Sequence, residues 1–563
     1  MATDGWKSRT ALILALLGIP ALAGVIISRP SKATSVASAP EDPARVTVNQ
    51  QASVIPDIGT CSPPTKPCTL ASGCPGVQIC VNGVYSACRC LGGGGTASCS
   101  VDGYPGTEAC SSTCVPGACN SQGAAIEAWR AIFPLPSGVP AESLGFNTGL
   151  AVPYALQCSE FQALGVKWVR INFQWADIEG PNAGQYTFST YASFVQAMSN
   201  CGIRIVGILG SGPGGELQNT YGEVTGPPTA STTPTQITAF TNYAIATMSN
   251  FRDAGVLWEM WNEPNANTFW SGSAAQYVAL ANAVGVSVRA NLPEQYFVAP
   301  ALAHFEEMAN QTVLEGYFND GLMDWLDAVT VHHYYDGSPP EQISPSWTWL
   351  QTLIPKYVSE EPFPIAAYET ETGYCTPHAT LNGSASEILK AAWIARAWLA
   401  NIASGVPLTM IYDFDDDPYD SNICINSPGQ PPNASFGVAE DAGAELLPAY
   451  YALQFVADRL PYFTYTSGNI ANANDSTVVV ENFVNNNNGS CLAFVASDTN
   501  VPRSIPISVP DGTWYVDTLN LTTSPPTVTT QTLVSVPETL NSVTVTIDST
   551  PIALRSDGPL CQP

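Results

Sequence analysis

Beyond about residue 140, short β-branched apolar runs alternate with longer stretches of helical character. The strand candidates are 144–148 (LGFNT), 166–172 (VKWVRIN), 203–209 (IRIVGIL), 256–262 (VLWEMWN), 295–300 (QYFVAP), 327–333 (DAVTVHH), 363–370 (FPIAAYET) and 406–412 (VPLTMIY). Helical stretches such as 236–254 and 384–404 lie between them. Eight strands alternating with helices over ~320 residues predict a (β/α)8 barrel. A doubly wound open sheet is the alternative; it usually has fewer strands and binds ligands at a switch point. After about residue 460 the helical pattern stops. Runs at 477–480, 491–496, 513–519 and 542–548 are short, β-rich and separated by turn residues. They predict an antiparallel β-sandwich of ~100 residues.

The segment before the barrel differs in kind. Lys7 and Arg9 precede an apolar run from Ala11 to Ile27 that contains Pro20, and Ala21-Leu22-Ala23 fits a cleavage site. Residues 1–30 therefore read as a signal peptide, or else as an uncleaved membrane anchor, the run being marginal against the roughly 20 residues that a span needs. Residues 31–60, rich in Ser, Ala, Pro and Val, read as a flexible linker. Residues 61–120 hold ten of the sixteen cysteines, from Cys61 to Cys119, with glycine and proline between them. Large apolar residues are too few there for a core, so disulfides must hold the module together, and five internal pairs are expected. Zinc is the rival, but the stretch has no histidine and no clean pair of C-x-x-C knuckles. The barrel then spans 121–458 and the sandwich 459–563. This cysteine usage places the protein in an oxidising compartment, secreted or otherwise outside the cytoplasm.

Composition narrows the partners. Acids outnumber bases 47 to 19, giving a net charge of −28, which repels nucleic acid and anionic membranes. A neutral or cationic partner is the natural one.

In a (β/α)8 barrel, chemistry sits where strands end and loops begin. The fourth strand ends in Asn262-Glu263-Pro264, and the seventh runs Tyr368-Glu369-Thr370-Glu371-Thr372-Gly373-Tyr374. Strands four and seven stand on opposite sides of the mouth, so Glu263 and Glu371 can face each other across it. Either glutamate alone reads as a solvated loop acid. The pair is different, because both follow apolar strands and are flanked by aromatics and Gly or Pro. Glu369, two residues before Glu371 and expected to point the same way, is the competing nucleophile. Glu259, deeper on the fourth strand, reads as a buried structural acid paired with a base. Gly210-Ser211-Gly212-Pro213-Gly214-Gly215 matches a dinucleotide fingerprint, but no helix follows it, so it reads as a cleft-lining loop. The four histidines form no metal-binding helix motif, and no catalytic metal is expected.

These segments resemble the clan A glycoside hydrolases, whose acid/base lies in Asn-Glu-Pro at the end of strand four and whose nucleophile closes strand seven in segments like Thr-Glu-x-Gly-Trp/Tyr. This chain reads Trp261-Asn262-Glu263-Pro264-Asn265 and Thr370-Glu371-Thr372-Gly373-Tyr374. Gly165-Val166-Lys167-Trp168-Val169-Arg170 is similar to the clan's strand two, and His332-His333-Tyr334 to its strand six. The resemblance covers roughly residues 140–550 and is closest to family 39 β-xylosidase-like and related family 5-like proteins. It implies a retaining enzyme on β-glycans, with Glu263 as acid/base, Glu371 as nucleophile and no cofactor. It also implies that Arg170 keeps Glu371 ionised, that Asn262 holds the sugar 2-hydroxyl, and that His332 and Tyr334 orient the nucleophile and the sugar. Trp175 and Tyr412 are candidate stacking residues, as are Trp261 and Trp270. One departure is at strand eight, where the clan often carries Trp and this chain has Tyr412. The implied partner is a polysaccharide or oligosaccharide. The rival is a carbohydrate-binding or surface-adhesion protein on an inactive barrel, against which both intact carboxylates weigh. Adjacent strands seven and eight put Cys375 and Cys424 on the same rim, where a disulfide is expected.

Overall fold

The computed structural model describes five short strands between residues 65 and 109 and the chain from 122 to 561, apart from 211–232, 416–435 and several shorter stretches. The signal or anchor segment, the linker and the cysteine side chains of residues 61–119 lie outside the described residues, as does most of the glycine-rich loop after strand three. Within 65–109, Thr65–Thr69, Pro75–Val81 and Val84–Tyr85 form one small antiparallel sheet, and Thr96–Val101 pairs with Tyr104–Ala109.

Eight parallel strands close into a barrel: β1 (Leu144–Asn147), β2 (Trp168–Gln174), β3 (Arg204–Gly210), β4 (Leu257–Met260), β5 (Tyr296–Leu302), β6 (Ala328–His333), β7 (Ala366–Thr372) and β8 (Thr409–Ile411). Their order around the barrel follows the sequence, with β8 pairing back onto β1. Each coincides with one predicted apolar run. Buried inward residues including Trp168, Val206, Tyr296, Tyr368 and Met410 form an apolar plug inside the barrel. Polar inward residues one step further along the strands therefore rest on a dry floor. Outward residues pack against the surrounding helices.

Helix starts sharpen the rim. Thr233 caps Pro234–Asn250 and Ser273 caps Ala274–Asn291, each through a capping box closed by Gln236 or Gln276. Cys158 and Cys201 join the helix Tyr154–Ala163 to the end of Ser189–Asn200. Cys375 is disulfide-bonded, and the expected partner, Cys424, lies outside the described residues.

Two irregularities in the strands matter for the site. Val331 pairs with Glu369 but His332 pairs with Glu371, so Thr370 is an extra residue in β7. Between β5 and β6 the register likewise skips Ala301, which adopts φ 54°. Such bulges flip the side-chain alternation beyond them.

The C-terminal region is antiparallel throughout. Phe463–Tyr465, Val478–Asn485, Cys491–Ser497, Ile552–Ser556, Gly512–Asn520 and Thr527–Ser535 form a six-stranded sheet in that order. Ala471–Asn472, Arg503–Ser508 and Ser542–Ile547 form a second sheet, and Cys491–Cys561 staples the module's end. The barrel core runs on into this region without a break, and Phe455 of the last barrel helix meets Phe494 edge-on at 6.4 Å. Two arginines cross the seam. Arg396 on the helix Glu387–Ala403 binds Glu341 and Asp498, and Arg459 binds Asp517. Among the described residues no helix is long and apolar enough to cross a membrane; the apolar run 11–27 lies outside them.

Candidate active site

At the C-terminal mouth of the barrel the polar ends of β1, β2, β4, β6 and β7 converge on one buried guanidinium. Arg170 is 1% exposed. Its Nε donates to Glu259 at 2.6 Å, Nη1 to Asn147 at 2.9 Å and to Glu371, and Nη2 to Asn262 at 2.6 Å. Every N–H edge of the fork therefore has a named acceptor direction, which fixes the plane of the group. Glu259 is fully buried, and its partner is Arg170, as its depth on the strand predicts. Asn147 in turn donates to the carbonyls of Thr370 and Ile411 at 3.1 and 3.4 Å, tying β1 to β7 and β8. Because Asn262 spends its oxygen on Arg170, its amide N–H groups remain for a ligand.

Glu371 ends β7 with both oxygens occupied. Oε1 accepts from Arg170, and Oε2 accepts from the Tyr334 hydroxyl at 2.8 Å. Burial pushes the Glu371 carboxyl up, but the charges of His332 and Arg170 and the hydrogen bonds from Tyr334 and Arg170 outweigh it and hold it below the usual carboxylate range. Burial and the Glu371 charge push the Tyr334 phenol well above its ordinary value, so it remains a donor.

Glu263 faces this group from β4. Its backbone is unusual: Trp261 and Glu263 both adopt left-handed φ, 67° and 47°. Such conformations are costly for side chains with a Cβ and persist where neighbours enforce them. Here Trp261 N–H donates to the Leu209 carbonyl at 2.9 Å, and Glu263 N–H to the carbonyl of the bulged Ala301 at 3.0 Å. Nδ1 of His332 lies 2.8 Å from Glu263 Oε1 and 3.5 Å from Glu371 Oε2. Burial disfavours the charged imidazole, but Glu371 and the Glu263 hydrogen bond raise its pKa overall. One oxygen of each glutamate and a His332 nitrogen lie within 4.8 Å of one another. Those are ligand types that a metal could use. Both oxygens of Glu371 are already engaged, however, one by a cationic guanidinium, and the arrangement serves proton handling better than metal binding.

Three sequence expectations need correction. Glu369 does not point with Glu371. The extra residue Thr370 turns it to the helix layer, where it accepts from His333 N–H at 3.0 Å and meets His333 Nδ1 at 2.7 Å. His333 Nε2 continues to Ser346 at 2.7 Å. Burial pushes the Glu369 carboxyl well up and the His333 imidazole down to about 3, so the dry helix layer disfavours the charged form of each. Trp175 is not a stacking platform: it is 2% exposed and packs against Phe240 and Tyr243 in the barrel wall. Trp261 and Trp270 are likewise buried, 5.1 Å from each other. Tyr412 remains at the mouth, partly exposed and edge-on to Phe436 at 5.4 Å. Its peptide bond to Asp413 is cis. Gly373 lies against the Tyr412 carbonyl, where any Cβ would collide.

Sequence reasoning missed Asn147, whose signal was a polar residue closing an apolar strand. It also missed the pair His304 and Glu306 after β5. Glu306 accepts from His304 Nδ1 at 3.0 Å and from Tyr334 N–H at 3.3 Å, and the Glu306 hydrogen bond raises the His304 pKa to about 9.

A family 39 glycoside hydrolase from the gut symbiont Bacteroides cellulosilyticus WH2 superposes with a TM-score of 0.58 at 16% identity, over 88% of this chain and 94% of that one. The chain shares that fold. A glucosidase from Croceicoccus marinus matches at a TM-score of 0.50 and 15% identity, over 75% of this chain and 96% of that one. A family 30 endoxylanase from Clostridium papyrosolvens C71 matches at 0.50 and 11% identity, over 74% and 96%. No protein-family model matches the sequence, and no curated protein matches it. At these identities the likeness is one of fold, a barrel with an appended β-domain.

Proposed function

We propose that the protein is a retaining glycoside hydrolase that cleaves β-glycosidic bonds in plant or microbial β-glycans. The observation that carries the reading is the approach of Glu263 and Glu371 to within 4.8 Å across the mouth. Retaining enzymes hold their carboxyl groups about 5–5.5 Å apart, and inverting ones about 6.5–9.5 Å. In the first step Glu371, ionised by Arg170 and Tyr334, attacks the anomeric carbon while Glu263 gives its proton to the departing oxygen. In the second step Glu263 takes a proton from water, which attacks the glycosyl-enzyme and releases Glu371. His332, between the two carboxylates, orients both. Asn262 offers its amide to the sugar 2-hydroxyl, and Tyr412 offers a partly exposed ring to its face. A xylan or glucan substrate fits the names carried by the superposed glucosidase and endoxylanase. The apolar run 11–27 and the sixteen cysteines support a place outside the cytoplasm.

The test uses aryl β-xylosides and β-glucosides. Glu371→Gln abolishes turnover of every substrate. Glu263→Gln still forms the glycosyl-enzyme from activated aryl glycosides, accumulates it, and regains turnover with azide as a β-azide product. The first product of the parent enzyme is the β-anomer. An α-anomer refutes retention, and activity indifferent to both glutamates refutes the catalytic reading altogether.

A further inference from the structure

Behind the barrel lies a second concave site. Chain direction alone separates it from the mouth: the last barrel helix, Pro448–Ala457, runs back from the rim, and the cleft opens at its far end. Phe463–Tyr465, at the cleft's edge, packs beside the turn Pro140–Glu142 that feeds the first barrel strand. The cleft encloses about 570 Å³, and Asp458, Arg459, Tyr462, Asn485, Asp517 and Arg555 contribute to its lining. That volume lies within the usual range for small-ligand sites.

Its most telling feature is a tyrosine in a position that suits glycine. Phe463 N–H donates to the Leu460 carbonyl at 2.9 Å, closing a four-residue turn with Pro461 second and Tyr462 third. Tyr462 has φ 72°. Proline second and a left-handed third residue define a type II turn, whose third position favours glycine or asparagine. The side chain gains nothing from the core in return, since Tyr462 is 74% exposed. A strained backbone that displays an aromatic ring to solvent beside a cleft is an arrangement that folding alone does not explain.

The polar groups beside the ring are fixed. Asp517, 2% exposed, accepts from Arg555 Nε at 2.7 Å and Nη2 at 3.0 Å, from Arg459 Nε at 2.9 Å and from Thr530 at 2.7 Å. Arg459 Nη1 donates to the Phe455 carbonyl at 2.7 Å, and its guanidinium stacks 3.8 Å over the Phe455 ring. Among the described residues nothing hydrogen-bonds Arg459 Nη2 or Arg555 Nη1, so both present preorganised donors. The exposed Asp458 supplies an acceptor. Asp458 and Asp517 balance Arg459 and Arg555, which leaves no net charge to attract an anion. An aromatic face, rigid donors and an acceptor at zero net charge match a pyranose, with one apolar C–H face and a rim of hydroxyls.

We infer that this cleft is a second glycan-docking site, in which a neutral sugar of the polymer stacks on Tyr462 and hydrogen-bonds Arg459, Arg555 and Asp458. The choice of ligand rests on the proposed hydrolase reading, but the site does no chemistry. It holds the protein on a long chain while the mouth works elsewhere on it.

The test is affinity electrophoresis of the full chain in gels containing soluble xylan or hydroxyethyl cellulose, with Tyr462→Gly and Tyr462→Trp beside the parent. Glycine suits the turn, so that variant keeps its fold. One of the two polymers should retard the parent. Tyr462→Gly should weaken the apparent affinity at least five-fold, and Tyr462→Trp should preserve it. Turnover of a small aryl β-glycoside should be equal in all three. Loss of retardation in Tyr462→Gly from a parent that turns over no glycoside upholds the docking site and sinks the hydrolase reading. Equal retardation of parent and Tyr462→Gly overturns the docking site, as does a parent that neither polymer retards. Thermal stabilisation by inorganic phosphate without retardation would make the cleft an anion site and overturn it as well.

Discussion

Replacing Arg170 by methionine, of similar length and without charge, should destabilise the barrel in a strongly pH-dependent way. Arg170 is the counter-charge of Glu259, 2.6 Å away, and the two side chains are 1% and 0% exposed. Without the guanidinium, Glu259 must stay charged in a dry interior or take up a proton. Below about pH 4.3, the ordinary glutamate value, the unfolded chain holds that proton too, and the charge penalty is absent. As pH rises above this, the unfolded chain releases the proton freely and the folded one cannot. Folded stability then falls by about 1.4 kcal/mol per pH unit, reaching about 4 kcal/mol at pH 7. That agrees with the roughly 3–5 kcal/mol for removing one partner of a buried ion pair. At about 1 °C per kcal/mol for a cooperative unit of roughly 440 residues, the melting temperature should fall by about 4 °C more at pH 7 than at pH 4.3. Scanning calorimetry of parent and Arg170→Met at the two pH values measures it. Adding Glu259→Gln removes the stranded acid and should recover most of the extra loss. An equal melting deficit at both pH values, or no recovery in the double variant, refutes the reasoning.

Tyr334→Phe removes the hydrogen bond to Glu371 Oε2, which favours the ionised carboxylate. Glu371 should titrate higher, moving the acid limb of kcat/KM to higher pH, with kcat down about 10- to 100-fold, as a charged hydrogen bond of roughly 1.5–3 kcal/mol implies; an unmoved limb contradicts it. Gly373→Ala forces a Cβ into the Tyr412 carbonyl and should displace both mouth strands, lowering kcat with little change in secondary structure by circular dichroism. Cys158→Ala with Cys201→Ala opens a link across 43 residues and should cost about 4 kcal/mol, seen as a lowered melting temperature with unchanged KM.

The barrel was legible in the sequence because its strands are buried on both faces and read as near-continuous apolar runs. All eight fall on their predicted positions to within a few residues. The two glutamates were legible because a carboxylate directly after such a run is conspicuous. The orientation of Glu369 was not, because side-chain alternation is a rule for unbroken strands and nothing in Thr370 announces a bulge. The tryptophans failed for another reason. An indole beside a strand end serves the wall or the cleft equally well, and only the positions of Phe240 and Tyr243 send Trp175 to the wall. Asn147 reaches Arg170, 23 residues on, and the carbonyls of Thr370 and Ile411, and Glu306 reaches Tyr334, 28 residues on, links that no local pattern displays.

The seam closed by Arg396 and Arg459 bears on how the protein can be cut. The change of pattern near residue 460 invites a truncation there, but the physical boundary is elsewhere. A chain ending at Asp458 would bare Phe455 to water and strip Arg396 of Asp498, leaving only Glu341 to match a charge that is 2% exposed. Barrel and sandwich should therefore melt in one transition and be inherited as one piece. Grafting a foreign β-module onto this barrel would require rebuilding the part of the core that Phe483, Leu492, Phe494, Leu519 and Leu521 complete.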